Sequence, residues 1–189
     1  QWNKELFKWL YIYDKWDWDV KYPVIHIRFD WDLRSWEWVK NRILDSLIEN
    51  QNNLNIKCSK TDKHDSCLQE LIQKAYEKYN QKVVILIDEY DKAILDNLDQ
   101  NDVAVEAREI LRWFYSIIKW NDEYIKFAFL TWVSKFSKAS IFSWLNMIED
   151  ISLNPKYWNI CWITQEELEN NYQEYLGWAN LKKIKTWYN

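Results

Sequence analysis

Three apolar runs set the pattern of the chain. Val83 to Ile87 is unbroken and mostly β-branched. It is too short for a buried helix, and β-branched side chains favour a pleated backbone, so it predicts a fully buried strand. Strands of that kind belong mainly to parallel sheets covered on both faces. Ile125 to Val133, IKFAFLTWV, is a second run of the same character, and Tyr22 to Phe29, YPVIHIRF, is a third. In the last, His26 and Arg28 alternate with Ile25, Ile27 and Phe29, so His26 reads as an ordinary strand residue rather than a ligand. Pro23 stands at the start of that strand, where a missing N–H is tolerated.

Between these runs the apolar spacing becomes helical. Val39, Ile43, Leu44, Leu47 and Ile48 form one stripe, and Leu68, Leu71, Ile72, Ala75 and Tyr79 form a second over Ser66 to Tyr79. A longer helix is expected from about Val103 to Lys119, with Asp102 as its N-cap. Thr164 followed by Glu167 is a capping-box signal for a helix running to about Tyr175, and a last short helix covers roughly Asn180 to Lys185. Lys4 to Tyr13 suggests a helix ending near Trp9, then an extended piece. Asn50 to Asp65 is polar and loop-like, Lys92 to Leu98 is a short helix or turn, and Asn154-Pro155 marks a turn. Strands alternating with helices predict a three-stranded parallel α/β layer with right-handed crossovers over about residues 1–135. About residues 136–189 add a mainly helical extension within the same domain.

The chain has 189 residues and a net charge of −4, which argues against a general binder of nucleic acid or anionic membrane. No apolar run approaches the length of a membrane span. The start lacks the basic, apolar and small-residue regions of a signal peptide. Three scattered cysteines, Cys58, Cys67 and Cys161, fit reduced thiols in a cytosolic protein better than a disulfide framework. Cys58, His64 and Cys67 match no standard zinc spacing and have no evident fourth ligand. With Gln1 first and its single Met at position 147, the sequence reads as a fragment.

Glycine is nearly absent. A chain of this length should carry roughly 13 glycines at ordinary usage. This one has Gly177 alone and fifteen tryptophans. Several of those tryptophans occupy turn-like places. Trp120 stands at the position of a helix C′ residue, Trp31 lies between Asp30 and Asp32, Trp158 precedes Asn159, and Trp178 follows Gly177. An indole gains nothing from a tight turn and does not take positive φ cheaply. The pattern fits a source that reads UGA as glycine, translated with UGA as tryptophan. The other explanation is a Trp-rich protein that stacks sugars or bases.

The candidate chemistry lies where Val83 to Ile87 stops, at Asp88-Glu89. Open α/β sheets place their ligands at the carboxyl ends of strands. A buried strand ending in Asp-Glu is the arrangement ATP hydrolysis uses in many P-loop ATPases. The first acid holds Mg²⁺, usually through water, and the second polarises the attacking water as general base. Asp88 fits the metal role and Glu89 the base role. Thr131, near the end of the run Ile125 to Val133, is placed to contact that water or the γ-phosphate. The plainer alternative is that Asp88, Glu89 and Asp91 form a solvated turn and Thr131 is a core-strand threonine. A nuclease site of Asp88, Glu89 and Lys92 is a third reading, although the acids are adjacent and Lys92 lies outside the strand.

VVILIDEYDKAI, the block FYSIIKWNDEYIKFAFLTWVSKFSKASIFSWLNMIEDISLNPKY and the closing KTWYN resemble the predicted AAA-ATPase-like family of bacterial proteins. The resemblance covers nearly the whole chain. It implies an incomplete P-loop NTPase-like core, with ATP and Mg²⁺ as cofactors and the Walker B motif on Asp88 and Glu89. It also implies that Trp9, Trp113, Trp120, Trp132, Trp144 and Trp162 stand at glycine positions, whereas Trp16, Trp18 and Trp187 are true tryptophans. The family's phosphate loop, with its Gly-Lys-Ser/Thr, would lie upstream of Gln1, and no such motif occurs in these residues. Family members often carry a PD-(D/E)XK nuclease-like domain downstream. The resemblance therefore implies an ATPase for the intact protein and an inactive piece here. A non-catalytic, nucleotide-dependent regulatory module is the competing class, and neither a nucleic-acid target nor an oligomeric state follows from the sequence.

Overall fold

The computed structural model describes residues 3–29, 35–59, 64–97, 101–133, 148–152, 154–157, 160, 163–177 and 179–188. Three strands, β1 (Val24–Arg28), β2 (Val83–Asp88) and β3 (Ile125–Leu130), form one sheet in the order β1-β2-β3. Both pairings are parallel, with Ile25 opposite Ile85 and Ile85 opposite Ala128. The chain reaches β2 from β1 through helices α1 (Trp36–Leu54) and α2 (His64–Tyr79), and β3 from β2 through α3 (Lys92–Leu95) and α4 (Asn101–Trp120). The expected parallel α/β layer is present, and β2 is its middle strand.

Burial along β2 alternates. Val83, Ile85 and Ile87 are fully buried, while Val84 and Leu86 are only half-buried. The expectation of a strand covered on both faces is thus met on one face among the described residues. The buried face packs with Ile25, Ile27 and Phe29 and with apolar stripes of the helices: Val39, Ile43 and Leu47 of α1, Leu68, Leu71 and Ile72 of α2, and Leu111 and Phe114 of α4. On the other face Phe127 of β3 remains 54% exposed. β1 and β3 are shorter than their apolar runs, whereas β2 extends one residue past its own, to Asp88. Thr131 and Val133 lie past the end of β3, where the chain leaves the ladder to meet the turn after β2.

Helix α1 runs into the segment that reads as a polar loop, because its polar residues have specific partners. Ser35 caps its start by accepting from the Trp38 amide at 3.2 Å, and Asn55 closes it in the left-handed region at φ 49°. Asn50 is buried against the edge of β1 that faces away from β2. It accepts from the His26 amide at 2.9 Å and donates to the His26 carbonyl at 2.7 Å. Arg42 donates to the Arg28 carbonyl at 2.9 Å. These side chains occupy edge groups that would otherwise invite another strand. The His26 side chain itself is exposed. At the other end, α4 begins at Asn101, so Asp102 lies in its first turn instead of capping it. Asn121 takes the capping duty at the exit: its side chain donates to the Ile117 carbonyl and accepts from Gln73 of α2.

One face of α2 stitches down the connection from α1. Lys78 and Tyr79 donate to the Leu54 carbonyl, Lys74 to the Lys57 carbonyl, and Glu70 accepts from the amide and hydroxyl of Ser59. Cys58 and Cys67 are buried beside this seam, with the Cys58 thiol donating to the Cys67 carbonyl at 3.2 Å. Burial pushes both thiols up. The His64 side chain and Cys161 lie outside the described residues, and no cluster of metal-binding side chains is found among the described ones.

Lys74 and then Ser59 hold the Glu70 carboxyl down to about 2, from an ordinary 4.5. The stability this confers is fully present above the unfolded value and is lost as pH falls through the folded one. Glu70 is partly exposed, so less than about 1 kcal/mol is involved. Glu70→Gln is expected to narrow the difference between urea midpoints at about pH 5 and about pH 3. An unchanged difference would show that Glu70 is not held low.

The first turns of the chain depart from expectation. Lys4–Phe7 and Tyr11–Asp14 are two short 3-10 turns, and between them Trp9 adopts φ 75°. Residues 147–189 form a compact unit of their own, separate from residues 1–146. Within it the capping box is present: Thr164 accepts from the Glu167 amide, and Glu167 accepts from that of Thr164. The helix expected to reach Tyr175 is divided at Tyr172 into α5 (Gln165–Asn171) and α6 (Gln173–Leu176), and α7 (Leu181–Tyr188) follows. No helix among the described residues is long and apolar enough to cross a membrane.

Candidate functional site

Strand β2 delivers Asp88 to the carboxyl end of the sheet's middle strand, and Glu89 is the next residue. Both side chains are half-buried. The exit of β3 meets them through Thr131, which bonds this turn with every polar group it has. Its amide donates to the Ile87 carbonyl at 2.9 Å, and its carbonyl accepts from the Tyr90 amide at 3.1 Å. Its hydroxyl donates to Oδ1 of Asp88 and accepts from the Glu89 amide at 3.2 Å. The structure therefore brings together Asp88, Glu89 and Thr131 from two neighbouring strands.

Glu89 adopts φ 53°, in the left-handed region. A residue with a Cβ takes that conformation at a cost and keeps it where its surroundings over-determine it, often at functional sites. The Thr131 hydroxyl is one such restraint, since it grips the Glu89 amide. A threonine hydroxyl has a single proton, and here that proton goes to Asp88. Donation from Thr131 to a water or phosphate is therefore not made in this arrangement. Its geometry is that of a brace between the acids.

The remaining carboxylate oxygen of Asp88 suits a hard divalent cation, held directly or through its water. Phosphate recognition by a glycine-rich loop has no counterpart in these residues, because Gly177 is the chain's one glycine. Lys92 does not complete an acid-acid-lysine site: its ammonium lies 3.0 Å from both oxygens of Asp96, one turn along.

Sequence reasoning missed two features of this site. Asp91, grouped with a solvated turn, is 0% exposed, and its Oδ1 accepts from the Val133 amide at 2.8 Å. Tyr90 is also buried, edge-on to Tyr115 and Trp132 at 6.2 Å from each. Strand alternation does not mark them: Asp88 and Glu89 are both half-buried, and the next two residues, Tyr90 and Asp91, are both buried where the chain enters α3.

Comparison with known proteins identifies relatives by sequence. The profile of the family described as Predicted AAA-ATPase matches residues 1–142. A protein of Azotobacter chroococcum mcd 1, "Uncharacterized protein in vnfD 5'region", is 38% identical over 188 residues, which is 99% of this chain and 36% of the relative. The chain thus spans about a third of that curated relative's length. No solved structure matches.

Proposed function

The chain belongs to the predicted AAA-ATPase family, and from that premise we propose that it supplies the acid-bearing part of a site that binds and hydrolyses ATP. The observation that carries this is the joining of Asp88, Glu89 and Thr131 at the carboxyl end of a middle parallel strand. Asp88 is the Walker B acid that would hold Mg²⁺, which neutralises phosphate charge when bound. Glu89 is the general base that takes a proton from the attacking water. Thr131 keeps both in place. We place the phosphate loop in sequence N-terminal to these residues, and the protein in the cytosol as a hydrolase. We also propose that UGA is read as glycine in its source, because Trp9 holds a backbone conformation that suits glycine.

Titration calorimetry tests the division of labour. Mg-ATP is expected to bind these 189 residues at least about a hundredfold more weakly than the longer polypeptide that includes a phosphate loop. Tight binding by the 189 residues would move the nucleotide site elsewhere. Tight binding without phosphate release by the longer polypeptide would favour a nucleotide-dependent regulatory module.

A further inference from the structure

Asp91 has no part in the chemistry above, yet it is the most deeply buried carboxylate near it, at 0% exposure. A carboxylate out of water is costly unless its oxygens are satisfied, so its place demands a reason. Its Oδ1 accepts from the Val133 amide at 2.8 Å, and its own carbonyl accepts from the amides of Ile94 and Leu95 at 2.9 Å. It therefore joins the start of α3 to the segment that leaves β3. Around it stand Tyr90, 3% exposed, and the buried Tyr115, whose phenol is pushed well above its usual range by burial, then by Tyr90 and Asp91.

Thr131 and Val133 are two residues apart, as are Glu89 and Asp91. Thr131 fastens the Asp88–Glu89 end of the turn, and Asp91 fastens Val133. Thr131 grips Ile87, Asp88, Glu89 and Tyr90 from one residue of the β3 exit, and Asp91 adds a second point of attachment at Val133, two residues further along. The second point keeps the exit from peeling away from the turn beyond Thr131. This is the over-determination that a left-handed glutamate needs.

We propose that Asp91 is a positioning residue for the Asp88–Glu89 pair: through the Val133 amide it holds the exit of β3 against the turn, keeping Glu89 left-handed and Thr131 bonded to Asp88. Its catalytic consequence rests on the assignment of Asp88 and Glu89 as the reacting pair, whereas the positioning itself does not.

Amide hydrogen exchange on this chain tests the positioning. In Asp91→Ala the amides of Glu89, Tyr90 and Thr131 are expected to exchange at least about tenfold faster, with those of Leu71 and Ile72 in α2 within about threefold of the original. Asp91→Asn keeps an oxygen for the Val133 amide and is expected to stay within about threefold throughout. Acceleration confined to Val133, or equal acceleration across the chain, overturns the proposal. Should Asp91→Ala not fold, Val133→Pro removes the same bond from the donor side and is expected to give the same local acceleration. In the longer polypeptide, Asp91→Ala should lower kcat at least about tenfold with KM within about twofold, and Asp91→Asn should recover most of it. An absence of hydrolysis before any substitution would defeat the ATPase assignment and leave the exchange result to decide for Asp91.

Discussion

Replacing Glu89 with glutamine is expected to lower ATP hydrolysis by at least about a hundredfold while leaving nucleotide affinity within about twofold, in a polypeptide that includes the phosphate loop. Glutamine keeps the size of the side chain but cannot accept the water's proton. The bond from the residue 89 amide to the Thr131 hydroxyl is made by the backbone, so the substitution leaves that brace standing. The loss should therefore fall on kcat. Asp88→Asn should behave differently. The amide oxygen of the new side chain still accepts from Thr131, but no charge remains to anchor a cation, so the Mg²⁺ concentration needed for half-maximal rate should rise. Phosphate release and equilibrium binding, measured side by side, separate the two variants. Unchanged hydrolysis in Glu89→Gln would remove the base assignment, and loss of binding together with hydrolysis would show that Glu89 supports the fold instead.

The frame of this site was legible because backbone preference and burial agreed there. Val83 to Ile87 and Ile125 to Val133 are apolar runs with strand-forming residues, and they supply two parallel strands that pair with each other. The acids stop β2 because they are the first residues after Ile87 that gain from leaving the core. What was hidden depends on pairings between distant residues. Asn50 looks like the start of a polar loop until His26, a strand away, offers it two backbone partners. Asp91 looks solvated until Val133 comes within reach of its carboxylate. A left-handed Glu89 follows no local preference at all, since glutamate has none for that region, and it takes the grip of Thr131 to hold it. Trp120 shows the opposite failure. Its place at a helix C′ position was inferred from the polar Asn121-Asp122 that follows, but Asn121 completes the cap and α4 keeps Trp120 as its last residue, 65% exposed. Trp31 and Trp178 lie outside the described residues.

The tryptophans differ in what their backbones ask for, and that difference sets a final expectation. Trp9 is 91% exposed and holds φ 75°, so its indole buries little while its Cβ opposes the backbone. A left-handed residue with a Cβ costs about 1–2 kcal/mol, and glycine removes that cost. Glycine also gives the unfolded chain about 0.4–1 kcal/mol of extra freedom. The balance is a stabilisation of about 1 kcal/mol for Trp9→Gly, read as a shift of the urea midpoint at constant slope. Trp113 lies inside α4 and Trp120 is its last residue, the two edge-on to each other at 6.2 Å. Glycine should cost about 1 kcal/mol at Trp113, because the helix interior gains nothing from a missing Cβ, and less at Trp120 in the final turn. If UGA is read as glycine in the source, α4 must bear both glycines through the burial of Leu111, Phe114, Tyr115, Ile117 and Ile118 on its inner face. The coding DNA then shows UGA at codons 9, 113 and 120 alike, despite the opposite signs in stability. UGG at codon 9 would end the recoding explanation. Destabilisation by Trp9→Gly would show that the indole at that turn is held by contacts worth more than the strain it imposes.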